Sequence, residues 1–231
     1  MKIEINPLLG TVRGRIGDLV FKQVNGKSYV AARPHPRSKS SYSGAERAKQ
    51  KRFAMNTKLA SAINKIDVLK PLWQKAANER MSTHNAISKA NYPSVGNKEF
   101  LIAPKLTPDS LGIDESRLSF KYSDGIISIC FPSDVFGLVM NPDNDKSIMA
   151  AGVLYLSNPV YDCRDDFKFI SLNSDPEKIC EGKDSVLQIQ LMDIHKQYID
   201  SYANRSFFFC LISLDKDGNL LNTVSTFAES F

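Results

Sequence analysis

The sequence predicts an α+β chain: an N-terminal β-hairpin and a helical hairpin, followed by an antiparallel, immunoglobulin-like β-sandwich. Three observations predict it. An Asn25-Gly26 pair sits between two β-prone runs. An apolar period of 3 and 4 residues runs through positions 53–66. Beyond about residue 99, short apolar runs recur between turn signals and no comparable helical period returns.

The first segment, residues 1–17, carries Gly10, Gly14 and Gly17 with Arg13 and Arg15. The spacing is not that of a dinucleotide-binding loop, so these glycines read as backbone turns or close packing. Asp18-Leu-Val-Phe-Lys-Gln-Val and Lys27-Ser-Tyr-Val-Ala-Ala flank Asn25-Gly26. A hairpin follows, because both central positions of its tight turn need φ > 0. Residues 33–42 contain Pro34 and Pro36 with Arg33, Arg37 and Lys39. Two prolines in three residues forbid helix, so this is an extended basic arm or linker. Ser43-Gly-Ala-Glu46 has the form of a capping box. The helix it opens turns Phe53, Asn56, Leu59, Ala60, Ile63 and Ile66 to one face and Arg47, Lys49, Lys51, Arg52 and Lys58 to the other. Pro71 suits the first turn of a second helix over 70–81, with Trp73 as its core anchor. Residues 82–91 form a third short helix, broken by Asn91-Tyr-Pro-Ser.

The second half reads as strands at 99–103, 116–122, 126–132, 150–157, 167–172, 186–192, 206–213 and 220–226. Asp124-Gly125 and Asp215-Lys-Asp-Gly-Asn219 mark two of the turns. Residues 193–203 are the one segment here with a helical look. The expected organisation is a basic region over residues 1–98 and an acidic β-sandwich over 99–231.

Charge separates these halves. Residues 1–105 hold 20 Lys and Arg against 6 Asp and Glu, net +14, whereas residues 106–231 hold 10 against 19, net −9. A basic half attracts nucleic acid by counterion release, or docks on the acidic half of a neighbouring copy. The residues expected to make that contact are Arg13, Arg15, Arg33, Arg37, Arg47, Lys51, Arg52 and Lys58. No run of 18 apolar residues exists, so no membrane-spanning helix is expected. The N-terminus lacks a secretory h-region, so synthesis in the cytoplasm is the expectation.

Catalytic motifs fail in turn. His35, His84 and His195 sit in no metal motif, and no nucleophile elbow occurs. Cys130 and Cys210 lie in apolar strand-like runs and read as small hydrophobes; Cys163 and Cys180 have no metal spacing. Asp215 and Asp217 begin a calcium-type loop, but Thr226 stands where its closing Glu belongs, so turn chemistry explains them. No catalytic, cofactor or metal site is expected, and no zinc finger or RRM signature appears.

Asn6-Pro-Leu-Leu-Gly10, Gly14-Arg-Ile-Gly17 followed by Val20-Phe21, the Gly26 hairpin, Ala32-Arg-Pro34, Glu46 to Phe53, Met81-Ser-Thr-His-Asn85 and Asn91 resemble an uncharacterised bacterial and phage family. The likeness covers about residues 6–105. Ser40-Ser-Tyr-Ser43 and Glu46 stand where that family has Asn-Pro-x-Thr and a Gln. The resemblance carries over no catalytic residue. It implies a place among phage or phage-derived particle proteins. The expected function is therefore a non-enzymatic structural component of a virion, tail or related particle, a homo-oligomer or a subunit of a larger assembly. The competing expectation is a nucleic-acid-binding protein that uses the basic region.

Overall fold

The structure is a computed structural model that describes residues 2–4, 14–24, 27–33, 38, 41–78, 81–97, 99–109, 118–132, 147–161, 165–178 and 184–231. The chain folds as two compact units, Met1–Glu46 and Arg47–Phe231. It is a mixed α+β protein whose described strands all pair antiparallel, as the sequence pattern implies.

The first unit is built on a four-stranded sheet. Its strands are β1 (Lys2–Glu4), β2 (Gly14–Ile16), β3 (Leu19–Val24) and β4 (Lys27–Ala32), in the order β1-β4-β3-β2. Val24 pairs with Lys27, so β3 and β4 form the predicted hairpin with a two-residue connection; Asn25 and Gly26 themselves lie outside the described residues. β2 and β3 form a second tight hairpin that the sequence reading did not anticipate. Ile16 pairs with Leu19 across Gly17 and Asp18, and Gly17 takes φ +56°, a left-handed turn position suited to glycine. The prolines at 34 and 36, with His35 and Arg37, lie outside the described residues, as does Arg13. The unit ends at the predicted capping box: the Ser43 amide donates to Glu46 Oε2 at 2.9 Å and the Glu46 amide donates to Ser43 Oγ at 3.2 Å.

That box opens α1 (Gly44–Ile63), followed by α2 (Lys70–Ala76) and α3 (Thr83–Asn91). Their inward residues, among them Met55, Leu59, Ile63 and Ile87, are fully buried. Trp73 is the anchor its sequence position suggested: it is buried and its indole donates to the Leu106 carbonyl at 2.7 Å. One buried amide side chain is well met. Asn91, at the end of α3, donates to the carbonyls of Ile87 and Lys105 and accepts from the Lys105 amide at 2.7 Å.

The strands of the second unit are β5 (Ser119–Ser123), β6 (Ile126–Phe131), β7 (Ser147–Pro159), β8 (Phe167–Asn173), β9 (Glu177–Lys178), β10 (Ser185–Gln190), β11 (Tyr202–Leu214), β12 (Leu220–Thr223) and β13 (Phe227–Ser230). They make a three-stranded sheet, β10-β6-β5, and a six-stranded sheet of order β12-β11-β7-β8 in which β13 joins β11 and β9 joins β7. The helix suspected within 193–203 is α4 (Asp193–Asp200). Asp124 and Gly125 take φ of 52° and 78° in the tight β5–β6 turn.

Strand alternation sorts the core into two layers. Ile148, Ala150, Leu154 and Leu156 of β7, with Phe207, Phe209 and Leu211 of β11, pack against Ile127, Ile129, Leu187 and Ile189 of the small sheet. Met149, Ala151 and Val153 of β7, with Phe208, Cys210 and Ile212 of β11, pack against the helices. The central strands are therefore buried on both faces, which explains the unbroken apolar run at 148–156. The helices and the sheet share one core, so the composition change near residue 99 falls inside a packed unit, and the chain divides instead at Glu46/Arg47.

Residues 99–103 are not a strand. Their one pairing is an isolated bridge from Phe100 to Val95. Phe100 alone inserts its ring, among Tyr155, Phe169 and Phe208. Leu101 and Ile102 remain 63% exposed. An apolar run with no ladder and one anchoring aromatic makes a loop. Of the run at 220–226 only Leu220–Thr223 is strand, β12; a separate strand, β13, follows it at Phe227–Ser230, and both are laid against β11.

Candidate functional site

The eight basic residues expected to contact a partner are divided between the two units and the segments outside the described residues. Arg13 and Arg37 lie outside the described residues. Arg15 and Arg33 are exposed in the first unit, and Arg15 Nε donates to the Gly17 carbonyl at 3.2 Å. Arg47 is exposed near the start of α1. The other three are engaged within the second unit. Lys51 pairs with Asp166 at 3.0 Å and Lys58 with Asp165 at 2.9 Å. Arg52 donates to the Tyr92 carbonyl at 2.8 Å and stacks over the Tyr92 ring. The two ion pairs are half-exposed and each stabilises by less than about 1 kcal/mol. Their larger effect is on the field. The acidic stretch before β8 meets the basic face of α1 in its own unit.

Counting charge by folded unit changes the picture that linear halves gave. Residues 1–46 hold 8 Lys and Arg against 3 Asp and Glu, net +5; residues 47–231 hold 22 against 22, net zero. The net charge of the protein thus belongs to the first unit.

The sheet of that unit is two-faced. Arg15 pairs with Val20 and Lys22 with Tyr29, and alternation puts these four with Ala31 on one face. Ile16 pairs with Leu19 and Phe21 with Val30 on the other. Among residues 14–46 no described side chain is buried; Ile16 is 66% and Leu19 46% exposed. The alternation that separates these faces is visible in Leu19-Val-Phe-Lys, but its use as an apolar surface was not read from the sequence.

Two concavities stand out among the described residues of the second unit. A groove of about 1120 Å³ brings Glu99, Asn158, Asn204 and Arg205 around the rings of Phe100 and Tyr155. Burial pushes the Tyr155 phenol up, against a smaller opposing effect of its hydrogen bond with Ser157. A cleft of about 520 Å³ lies along β8 between α1 and α4 and brings together Lys58, Lys65, Lys168 and His195. Burial lowers the His195 pKa, and the Lys168 ammonium lowers it further. His195 was weighed in the sequence only as a lone histidine, and Lys65 and Lys168 were not singled out, because each stands alone there and only folding assembles them.

His84 Nε2 is 3.2 Å from Ser61 Oγ on α1. Cys210 lies in the helix-facing core, its thiol pushed up to about 12 by burial. Cys130 is half-buried on β6; Cys163 and Cys180 lie outside the described residues. Asp215 caps its own turn, accepting from the amides of Asp217 and Asn219 at 2.8 Å each and from the Asn219 side chain. Those bonds hold its carboxyl below the usual range. Among the described residues no three His, Cys, Asp or Glu side chains group as metal ligands, and no helix is long and apolar enough to cross a membrane. No protein-family model matches the chain, and no curated protein matches it.

Proposed function

We propose that this is a non-enzymatic structural protein that assembles into an oligomer or larger particle, made in the cytoplasm and incorporated through its first unit. One observation carries the reading: the sheet of residues 14–33 has an apolar face, Ile16, Leu19, Phe21 and Val30, yet none of its described side chains is buried. A small sheet is marginal in water until its apolar face gains a second layer. A partner subunit supplies that layer. The resemblance of residues 6–105 to a bacterial and phage family supports placing the assembly in a virion, tail or related particle. The paired sheets of the second unit support an immunoglobulin-like sandwich module, to which α1–α3 add a third layer.

Light scattering coupled to size exclusion on nuclease-treated protein tests this at low and high salt. A fixed multimer at both salts is expected, because the contact is apolar. Ile16→Lys with Leu19→Lys should yield monomer. A wild-type chain that is monomeric at every concentration overturns the reading.

A second reading, nucleic-acid binding, is favoured by the +5 charge of residues 1–46 and by Arg15 and Lys22 on one sheet face. Its signature is affinity that falls linearly with log salt. Replacing Arg15, Lys22 and Arg33 with Ala should then reduce binding to all sequences alike.

A further inference from the structure

The six-stranded sheet ends on β8, and among the described residues no strand pairs with its outer edge. Every second residue of such a strand turns its N–H and C=O away from the sheet. This edge is the floor of the 520 Å³ cleft, which residues 167–171 line without a break. The two walls stand on opposite sides of the strand. Ser171 Oγ donates to the Ala62 carbonyl of α1 at 2.7 Å, fixing α1 on the side of Phe167, Phe169 and Ser171. The Lys168 ammonium lies over the Tyr198 ring, fixing α4 on the side of Lys168 and Ile170. The cleft is therefore a slot astride a strand edge, open to a backbone.

Its charge is one-sided. Lys58 is neutralised by Asp165, the one carboxylate among the described residues that line the slot. Lys65 and Lys168 have no carboxylate partner among the described residues, one beside each wall. His195 Nδ1 is buried with no hydrogen-bond partner. We propose that β8 takes an extended acidic segment of a partner protein as an added strand. The segment's backbone pairs with the free edge. Its side chains alternate between the walls, so carboxylates at neighbouring positions reach Lys65 on one side and Lys168 on the other. Lysines beside an edge strand also discourage indiscriminate pairing. The same charges that turn away a basic strand select an acidic one. This surface lies wholly in the second unit, so it stands independently of the contact assigned to residues 14–33.

The test titrates the full chain with an acetylated, amidated Val-Glu-Glu-Val-Glu-Glu-Val peptide, which offers carboxylates to both walls, its Lys counterpart, and the acidic peptide N-methylated at every residue. Anisotropy of labelled peptide reads affinity, and amide exchange reads residues 167–173. The acidic peptide should bind saturably and slow exchange along β8. The Lys and N-methylated peptides should bind at least roughly tenfold more weakly. Lys65→Glu with Lys168→Glu should weaken the acidic peptide by a similar factor with circular dichroism unchanged. Lys65→Glu alone, at an exposed helix end, gives the same reading should the double variant unfold. Absence of saturable binding overturns the proposal. So does an N-methylated peptide that binds as tightly as its parent, or affinity indifferent to the lysine changes.

Discussion

Gly152→Ala should be among the most damaging single-methyl additions in the second unit. Gly152 lies in β7 opposite Phe209, in the middle of the twelve-position β7–β11 register. A Cβ there would overlap the Phe208 carbonyl oxygen and come within 2.8 and 2.9 Å of the Phe207 ring. The ring could rotate. The carbonyl cannot move alone, because Phe208 pairs with Val153 on one side and Ala228 on the other. Relieving the overlap means parting the central strands or displacing Phe207, which is fully buried. Overpacking of this kind costs about 1–3 kcal/mol, and a displaced backbone belongs at the upper end. Reduced entropy of the unfolded chain returns roughly 0.4–1 kcal/mol. The net expectation is about 2 kcal/mol, or about 4–8 °C in Tm for a body of this size. Urea unfolding followed by circular dichroism should show a lower midpoint with an unchanged slope. A companion variant separates the two obstacles. Phe207→Leu removes the ring but not the carbonyl, so adding it to Gly152→Ala should recover little. Unchanged or higher stability in Gly152→Ala would refute the close β7–β11 approach. Full recovery in the double variant would show the ring, not the backbone, to be the obstacle.

The remaining predictions concern single bonds and one titration. Trp73→Phe keeps most of the apolar bulk but leaves the Leu106 carbonyl without the indole donor; a loss of about 1–3 kcal/mol in urea unfolding is expected. Ser43→Ala removes the acceptor for the Glu46 amide and should cost about 1 kcal/mol. His195 should titrate below the ordinary 6.5 by NMR. The unfolded chain then binds its proton more readily, so this group's contribution to stability is present above about pH 6.5 and is lost as pH falls through the window just below it. Lys168→Gln should raise the His195 pKa only part of the way, since burial is the larger cause; a complete return would reverse that ranking.

The legible parts of this fold were those set by local chemistry. Asn25-Gly26, Asp124-Gly125 and the Ser43–Glu46 box each act over four residues or fewer, and each is matched by an element boundary in the structure. Pro71 and the 3.6-residue period placed α1 and α2 for the same reason. Residues 99–103 misled because hydrophobicity was taken for pairing. Phe100 has a place in an aromatic cluster, but no neighbouring strand offers Leu101 and Ile102 a ladder. β1 and β2 escaped notice because three-residue strands carry too few residues to show a period. The cleft was invisible for a deeper reason. Lys65, Lys168 and His195 come from segments up to 130 residues apart in the chain, and no spacing rule joins them.

Charge shows most plainly how folding rearranges what a sequence displays. Divided at residue 105, the chain is a dipole, and a dipole argues for head-to-tail stacking driven by electrostatics. Divided where it folds, it is a neutral body and a cationic one. Asp165 and Asp166 meet Lys58 and Lys51 of the same unit, so the acidic half offers a neighbouring copy no matching net charge. Assembly through opposite charges would weaken with salt; assembly through Ile16, Leu19, Phe21 and Val30 would persist or strengthen with it. A cationic unit that binds a polyanion would weaken most steeply of all. The sign and slope of one salt series on the nuclease-treated chain therefore distinguish the apolar contact from nucleic-acid binding.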